Sequence, residues 1–324
     1  MTTANPVIAE ILRGPMVESR HRGAFVVCDA AGKVVQSAGD TGASIYPRSA
    51  IKAFQALPLL QSGAADRFGL TPEEIALCCS SHDGEPEHVR VARSILAKAG
   101  NSEADLECGS HWPTAGDAMR ALVRAGEAAS SIHNNCSGKH AGMLAFARHI
   151  GLDVKGYVKP DHPVQITIAK AYGEICGVDL ARAAMGIDGC SVPTWALLLT
   201  NLATGFAKLC TMPEGQRIIE AVRAHPFMVA GSTRYDTKIM TAVPRLFIKL
   251  GAEGVFCGSI SHASLGFALK CDDGAYRGAE VAVAEMLVKL DVWTSEEREA
   301  LSAFATRPMK NWRKLETGVE RASF

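Results

Sequence analysis

The chain lacks an excess of either charge, since 34 Lys and Arg stand against 34 Asp and Glu. With no net field, neither nucleic acid nor an anionic membrane is an expected partner, and a small polar or zwitterionic molecule is. Long apolar runs are missing too. The richest stretch, residues 192–207, is broken by Thr194, Thr200, Asn201 and Thr204, so a core helix is expected there rather than a membrane span. No basic and then apolar leader opens Met1 to Pro6, and a cytoplasmic location is expected. Ten cysteines are present, but clustering is not: only Cys78 and Cys79 are close together. Reduced, buried thiols are therefore expected rather than a disulfide framework.

What the chain does have is apolar material, 48% of 324 residues, ample for a sizeable core in one domain or two. Val7 to Arg13, Gly23 to Asp29 and Lys33 to Gln36 predict a meander of strands, with Ala31-Gly32 as a turn. From Ser49 to about Leu250 the periodicity is helical, with apolar faces at Val89/Val91/Ile95/Leu96 and Met143/Leu144/Phe146/Ala147. Pro58 predicts a kink or an early end to the helix that follows Ser49. Strand character returns at Gly254 to Gly258 and Gly266 to Lys270, and after the Asp272-Asp273-Gly274 turn a helix is expected from about Ala279 to Leu290. The expected fold class is α+β, with terminal strands sharing one antiparallel sheet, a large inserted helical region, and a cleft where the two meet. A single catalytic unit over residues 1–324 is expected, with a sheet lobe (1–48 and 251–324) and a mainly helical lobe (49–250).

Four polar constellations carry chemistry. In Arg48-Ser49-Ala50-Ile51-Lys52, serine and lysine sit one helical turn apart on one face, about 5–6 Å between Cβ atoms. A lysine whose pKa is lowered by desolvation or a nearby cation can take the serine proton and make it a nucleophile. The same spacing also describes an N-cap serine followed by a solvated lysine, the commoner arrangement. Ser81-His82-Asp83-Gly84-Glu85 reads either as an elaborate helix cap around Asp83 or as a second hydroxyl, Ser81, with His82 or Glu85 touching substrate. Cys136, Lys139 and His140 fall at i, i+3 and i+4 on one side of a helix start, where a thiolate is favoured. Asp188 and Cys190 lie on a tight-turn loop. Cys136 and Cys190 are two soft metal ligands or two ordinary buried cysteines. Gly231 to Thr237, a polar turn with a cation and several hydroxyls, reads either as a further candidate or as a helix cap, and Gly109 to Thr114 reads as structural.

Three of these blocks, Tyr46 to Lys52, Ser81 to Glu85 and Asn135 to Met143, in this order and within a likeness running from Arg13 to Gly274, resemble the Rhizobium etli type of L-asparaginase, the class 3 or asparaginase II family. The resemblance implies a fold similar to serine β-lactamases and glutaminases, hydrolysis of L-asparagine to L-aspartate and ammonia, and a homodimer. It implies that Ser49 with Lys52 forms one Ser-Lys tandem and Ser81 with Lys270 the other. It further implies a zinc ion (Zn2+) held by Cys136, Lys139 and Cys190, with Asp188 nearby, supporting substrate binding and site geometry rather than activating the nucleophile. Arg48, His82, Glu85, His140 and Asp188 are the candidate substrate contacts.

The reaction expected is acyl transfer through Ser49, with Lys52 as base and backbone N–H groups as the oxyanion hole. Its rivals are a β-lactamase- or peptidase-like serine hydrolase, a catalytically silent zinc-stabilised amino-acid-binding protein, and zinc-hydroxide catalysis. Two thiolates would make the ion a weak Lewis acid, which disfavours the last.

Overall fold

The computed structural model describes residues 4–324. Its architecture is α+β, built around one eight-stranded antiparallel sheet. The strands are β1 (Val7–Arg13), β2 (Met16–Asp29), β3 (Val34–Ala38), β4 (Leu246–Gly251), β5 (Val255–Ile260), β6 (Leu265–Cys271), β7 (Thr306–Lys310) and β8 (Glu316–Ala322). They run in the order β7-β8-β1-β2-β6-β5-β4, with β3 also paired to β2. At 14 residues β2 is long enough to serve two sets of neighbours. Its first half pairs with β1, and its second half with β6 and β3. Ala9 stands opposite Ala322 and Val27 opposite Phe267, so strands from the two ends of the chain share the sheet, as expected from their patterning.

The chain divides into two compact units. The sheet unit holds residues up to Ala50, Leu197–Cys210 and Lys238–Phe324; the helical unit holds Ile51–Ala196 and Thr211–Thr237. Residues 197–210 and 238–250, grouped with the helices by sequence, thus belong with the sheet. The reason is packing: the helix Leu199–Leu209 lies on β2, β5 and β6, and Leu246–Gly251 is itself the strand β4. Gly266 permits that helix to sit close, since a Cβ there would meet the Ala203 carbonyl oxygen at 2.1 Å. A second helix, Tyr276–Val288, packs on β1, β8 and β6. Every residue of β4 and β5 is buried, which requires cover on both faces and produces continuous apolar runs instead of alternation. At the far edge, β7 carries Pro308, a residue without an N–H that an edge strand accommodates.

In the helical unit, Lys52–Gln61 and Ser137–His149 are the central helices. All residues from Lys52 to Leu60, and all from Ser137 to Ala147, are buried. A helix apolar or small on every side belongs inside. Around them lie amphipathic helices such as Pro86–Lys98, whose exposed face carries Arg90 and Arg93. Pro58 falls within the first central helix, which ends at Gln61. All ten cysteines are buried and none forms a disulfide. Among the described residues no helix is long and apolar enough to cross a membrane.

Candidate active site

Both central helices begin with a lysine in the first turn, Lys52 and Lys139, where the macrodipole disfavours a cation. Stability does not ask for these lysines. Just before Lys52, Arg48–Ile51 forms a 3-10 turn that carries Ser49. Arg48 holds φ at +53°, a left-handed conformation a long side chain rarely adopts, and Ser191, next to Cys190, does the same at +74°. Such strain persists only where the surroundings enforce it, and it gathers at functional sites.

Lys52 is 1% exposed. Its Nζ donates to Ser81 Oγ at 2.9 Å, to Cys136 Sγ at 3.1 Å and to the Ser80 carbonyl oxygen. The loop carrying Ser81 is pinned from several directions. The Ser81 N–H donates to Val229 O, that of Asp83 to Ala230 O, and that of His82 to Asn135 O. Asp83 accepts from Thr114 Oγ1 at 2.6 Å and from Arg234 at 2.7 Å, while Glu85 Oε1 accepts from the Ser232 N–H at 2.7 Å. The polar turns Gly109 to Thr114 and Gly231 to Thr237 are therefore the props of this loop. Close approach of the second central helix depends on Gly138, where a Cβ would meet the Leu77 carbonyl oxygen at 2.5 Å.

His82, a candidate substrate contact, is fully buried with both ring nitrogens engaged. Nδ1 accepts from the Gly84 N–H at 3.1 Å, which leaves the proton on Nε2 to reach Ser137 Oγ at 2.9 Å. Burial pushes its pKa well down, and it acts as a neutral brace between loop and helix. His140 is likewise fully buried, its Nδ1 at 2.7 Å from Tyr157 Oη. Tyr157 Oη accepts from the Glu107 N–H at 3.1 Å, and His140 Nε2 has no hydrogen-bond partner among the described residues. Burial holds the His140 pKa down to about 4. Neither histidine is exposed enough to meet a solute directly.

Cys136, Lys139 and Cys190 come together, although 51 residues separate the last two. Lys139 Nζ lies 3.0 Å from Cys190 Sγ. A hydrogen bond from the Cys136 thiol, and then the Lys139 ammonium and His140, drive the Cys190 pKa far below that of a free thiol, against the cost of burial. The same hydrogen bond, together with burial, raises Cys136. Burial alone would lower the Lys139 pKa, but the two sulfurs and Asp188 outweigh it and keep the ammonium. Asp188 is half-buried at the head of the Cys190 turn, closed by its own Ser191 N–H bond. Lys270, in the sheet unit, donates to Glu253 O at 2.8 Å and to Cys271 O.

The sequence pattern of the L-asparaginase II family matches residues 9–322. The chain belongs to the L-asparaginase II family. It is an amidohydrolase, and a small molecule is its substrate. No curated protein matches the chain. Among solved structures it is similar to a β-lactamase from Mycobacterium bovis, at 15% identity and a TM-score of 0.42, over 87% of this chain and 94% of that one. It is also similar to a protein called Mglu, at 13% identity and a TM-score of 0.40, over 85% of this chain and 63% of that one. A third is the D-alanine carboxypeptidase AmpC from Burkholderia cenocepacia, at 12% identity and a TM-score of 0.36, over 81% and 93%. For an L-asparaginase II family member, sequence reasoning missed the Lys52–Cys136 contact, the Tyr157–His140 hydrogen bond and the Asp83–Arg234 ion pair. Each joins residues remote in sequence, and only the lone Arg234 in its polar turn hinted at one of them.

Proposed function

We propose that the chain hydrolyses L-asparagine to L-aspartate and ammonia by acyl transfer through a serine that a buried lysine activates. The observation carrying this reading is Lys52, an amine 1% exposed, with no carboxylate among its hydrogen-bond partners, 2.9 Å from a serine hydroxyl and three residues after another. In the proposed cycle, Ser49 Oγ attacks the side-chain carboxamide carbon while neutral Lys52 takes the hydroxyl proton. Backbone N–H groups at the helix start hold the oxyanion. The C–N bond breaks, and Ser81 Oγ passes the proton from Lys52 to the departing nitrogen, which leaves as ammonia. Water then cleaves the β-aspartyl ester with Lys52 again as base. Lys270 enters as the lysine of the second tandem on family likeness alone. A cytoplasmic homodimer is part of the same reading, and sedimentation velocity tests the dimer.

The Lys52–Ser81 distance also favours a second assignment, with Ser81 as nucleophile. The two readings differ in which peptide carries the acyl group. Ammonia release from asparagine and glutamine is measured for wild type, Ser49→Ala and Ser81→Ala, with acid-quenched enzyme digested for mass spectrometry. Loss of about a thousandfold or more in Ser49→Ala, with the aspartyl adduct on the Ser49 peptide, is the expected result. An adduct on Ser81 selects the second reading; full activity in both variants, or turnover of a chromogenic β-lactam in place of asparagine, overturns the proposal.

Zinc is proposed at Cys136, Lys139 and Cys190. The donors suit it: two cysteine sulfurs and an amine, none more than 4% exposed, with the Cys190 pKa driven down beside the Lys139 ammonium. His140 Nε2, buried and without a hydrogen-bond partner among the described residues, neighbours the same sulfur. Bound there, the ion would replace the protons now shared among these groups and fix the second central helix against the Cys190 turn.

A further inference from the structure

The helix Gly116–Ala125 is strongly amphipathic yet buries only Ala118. Between it and the helix Pro86–Lys98 lies a cavity of about 520 Å³. That volume is in the range of small-molecule sites, about 300–1,000 Å³. Val89, Ala118, Ala121, Leu122 and Ala125 make its walls apolar. One polar group stands out. His133 lines the cavity at 8% exposed, and its Nδ1 accepts from the Ser130 N–H at 3.1 Å. The ring proton therefore sits on Nε2, which has no hydrogen-bond partner among the described residues. That N–H is open to the cavity and free to donate to an acceptor on a ligand.

Charge narrows the ligand further. Arg90 and Arg93 border the cavity with Glu127. Arg90 is held by Glu87 at 2.6 Å and Glu73 at 3.1 Å, but the partner of Arg93, Glu103, stands at 3.5 Å, beyond the 2.7–2.9 Å typical of a well-formed charge-assisted bond. Arg93 is thus the cation best able to take another carboxylate. We infer that this cavity binds a small carboxylic acid with an apolar body, its carboxylate meeting His133 Nε2–H and Arg93 and its body lying along Val89, Ala121 and Leu122.

The test is calorimetric titration of the full chain with 4-phenylbutyrate. Saturable binding with Kd below about 1 mM is expected, at least about tenfold weaker for 4-phenylbutan-1-ol, which lacks the carboxylate. Ala121→Trp fills the cavity from an exposed position and should weaken the acid by about tenfold or more, with the melting temperature unchanged. His133→Phe keeps the ring and removes the donor, and should do the same. Absence of saturable binding, equal affinity for acid and alcohol, or unaltered binding in Ala121→Trp overturns the inference. So does sedimentation showing a dimer that Ala121→Trp dissociates, because a second copy of the chain would then occupy the groove. If His133→Phe fails to fold, the acid–alcohol comparison and Ala121→Trp decide.

Discussion

Ser49 and Lys52 are three residues apart, and a spacing that short is legible in sequence because local helix geometry dictates who meets whom. The same is true of Cys136, Lys139 and His140. What sequence could not supply is the partner of each. Lys52 reaches Ser81 across 29 residues and Cys136 across 84, and these contacts exist only because two helices and a loop are packed together. Nor could it separate braces from contacts: His82 looks like a ligand-binding group until both of its nitrogens are found engaged in a dry interior. Chelation tests the proposed zinc site. With the metal gone, Cys190 Sγ still has the Lys139 amine 3.0 Å away, so residual turnover with a lowered melting temperature is expected, and complete persistence of both would argue against zinc at these residues.

Among elements, strands β1, β5 and β6 follow their patterning closely, because alternation or a continuous apolar run leaves little choice of partner face. The helix Ser295–Ala305 and strands β7 and β8 were not legible. β7 contains a proline and alternates half-buried with exposed residues, a pattern shared with loops. That helix nonetheless has a clear start. Thr294 accepts from the Glu297 N–H and Glu297 from the Thr294 N–H, a reciprocal cap, and Arg245 holds Glu297 in place. Thr294→Ala should cost about 1 kcal/mol in denaturant unfolding. The Arg245 guanidinium holds the Glu297 pKa down to about 2. A carboxylate lowered on folding adds stability that is complete above its unfolded pKa and lost as pH falls toward the folded one. Wild type should therefore lose more melting temperature than Glu297→Gln between about pH 5 and pH 2; parallel curves would show that the pair contributes nothing.

For the whole molecule, the sheet is closed by chain ends. β1, at the start, is flanked by β8, at the finish, with Ala9 opposite Ala322 and Arg13 opposite Gly318. Gly318 admits no side chain here, since a Cβ would meet the Leu12 carbonyl oxygen at 1.9 Å. Removing residues 306–324 would strip β7 and β8, leave the β1 edge unpaired, and uncover apolar surface beneath the helix Tyr276–Val288. That truncation should aggregate or fail to fold, although no residue of the proposed chemistry is lost; a soluble truncation with native circular dichroism would refute it. The α+β class was readable because strand patterning sits at both ends of the sequence and helical periodicity between. The assignment of 197–210 to the sheet was not, since an apolar helix does not announce which layer it covers.

The lysines that open the two central helices have one more implication, for anyone selecting variants of this chain. Lys52 occupies a dry position at the positive end of a dipole, where methionine would fit with no charge to desolvate. Lys52→Met is expected to melt no lower than wild type while releasing no ammonia; a fall in melting temperature would show that its bonds to Ser80 and Ser81 matter more than its burial. Selection for heat tolerance alone would then drift toward a dead enzyme, and the residue to hold fixed in any such screen is the one a stability criterion would be quickest to discard.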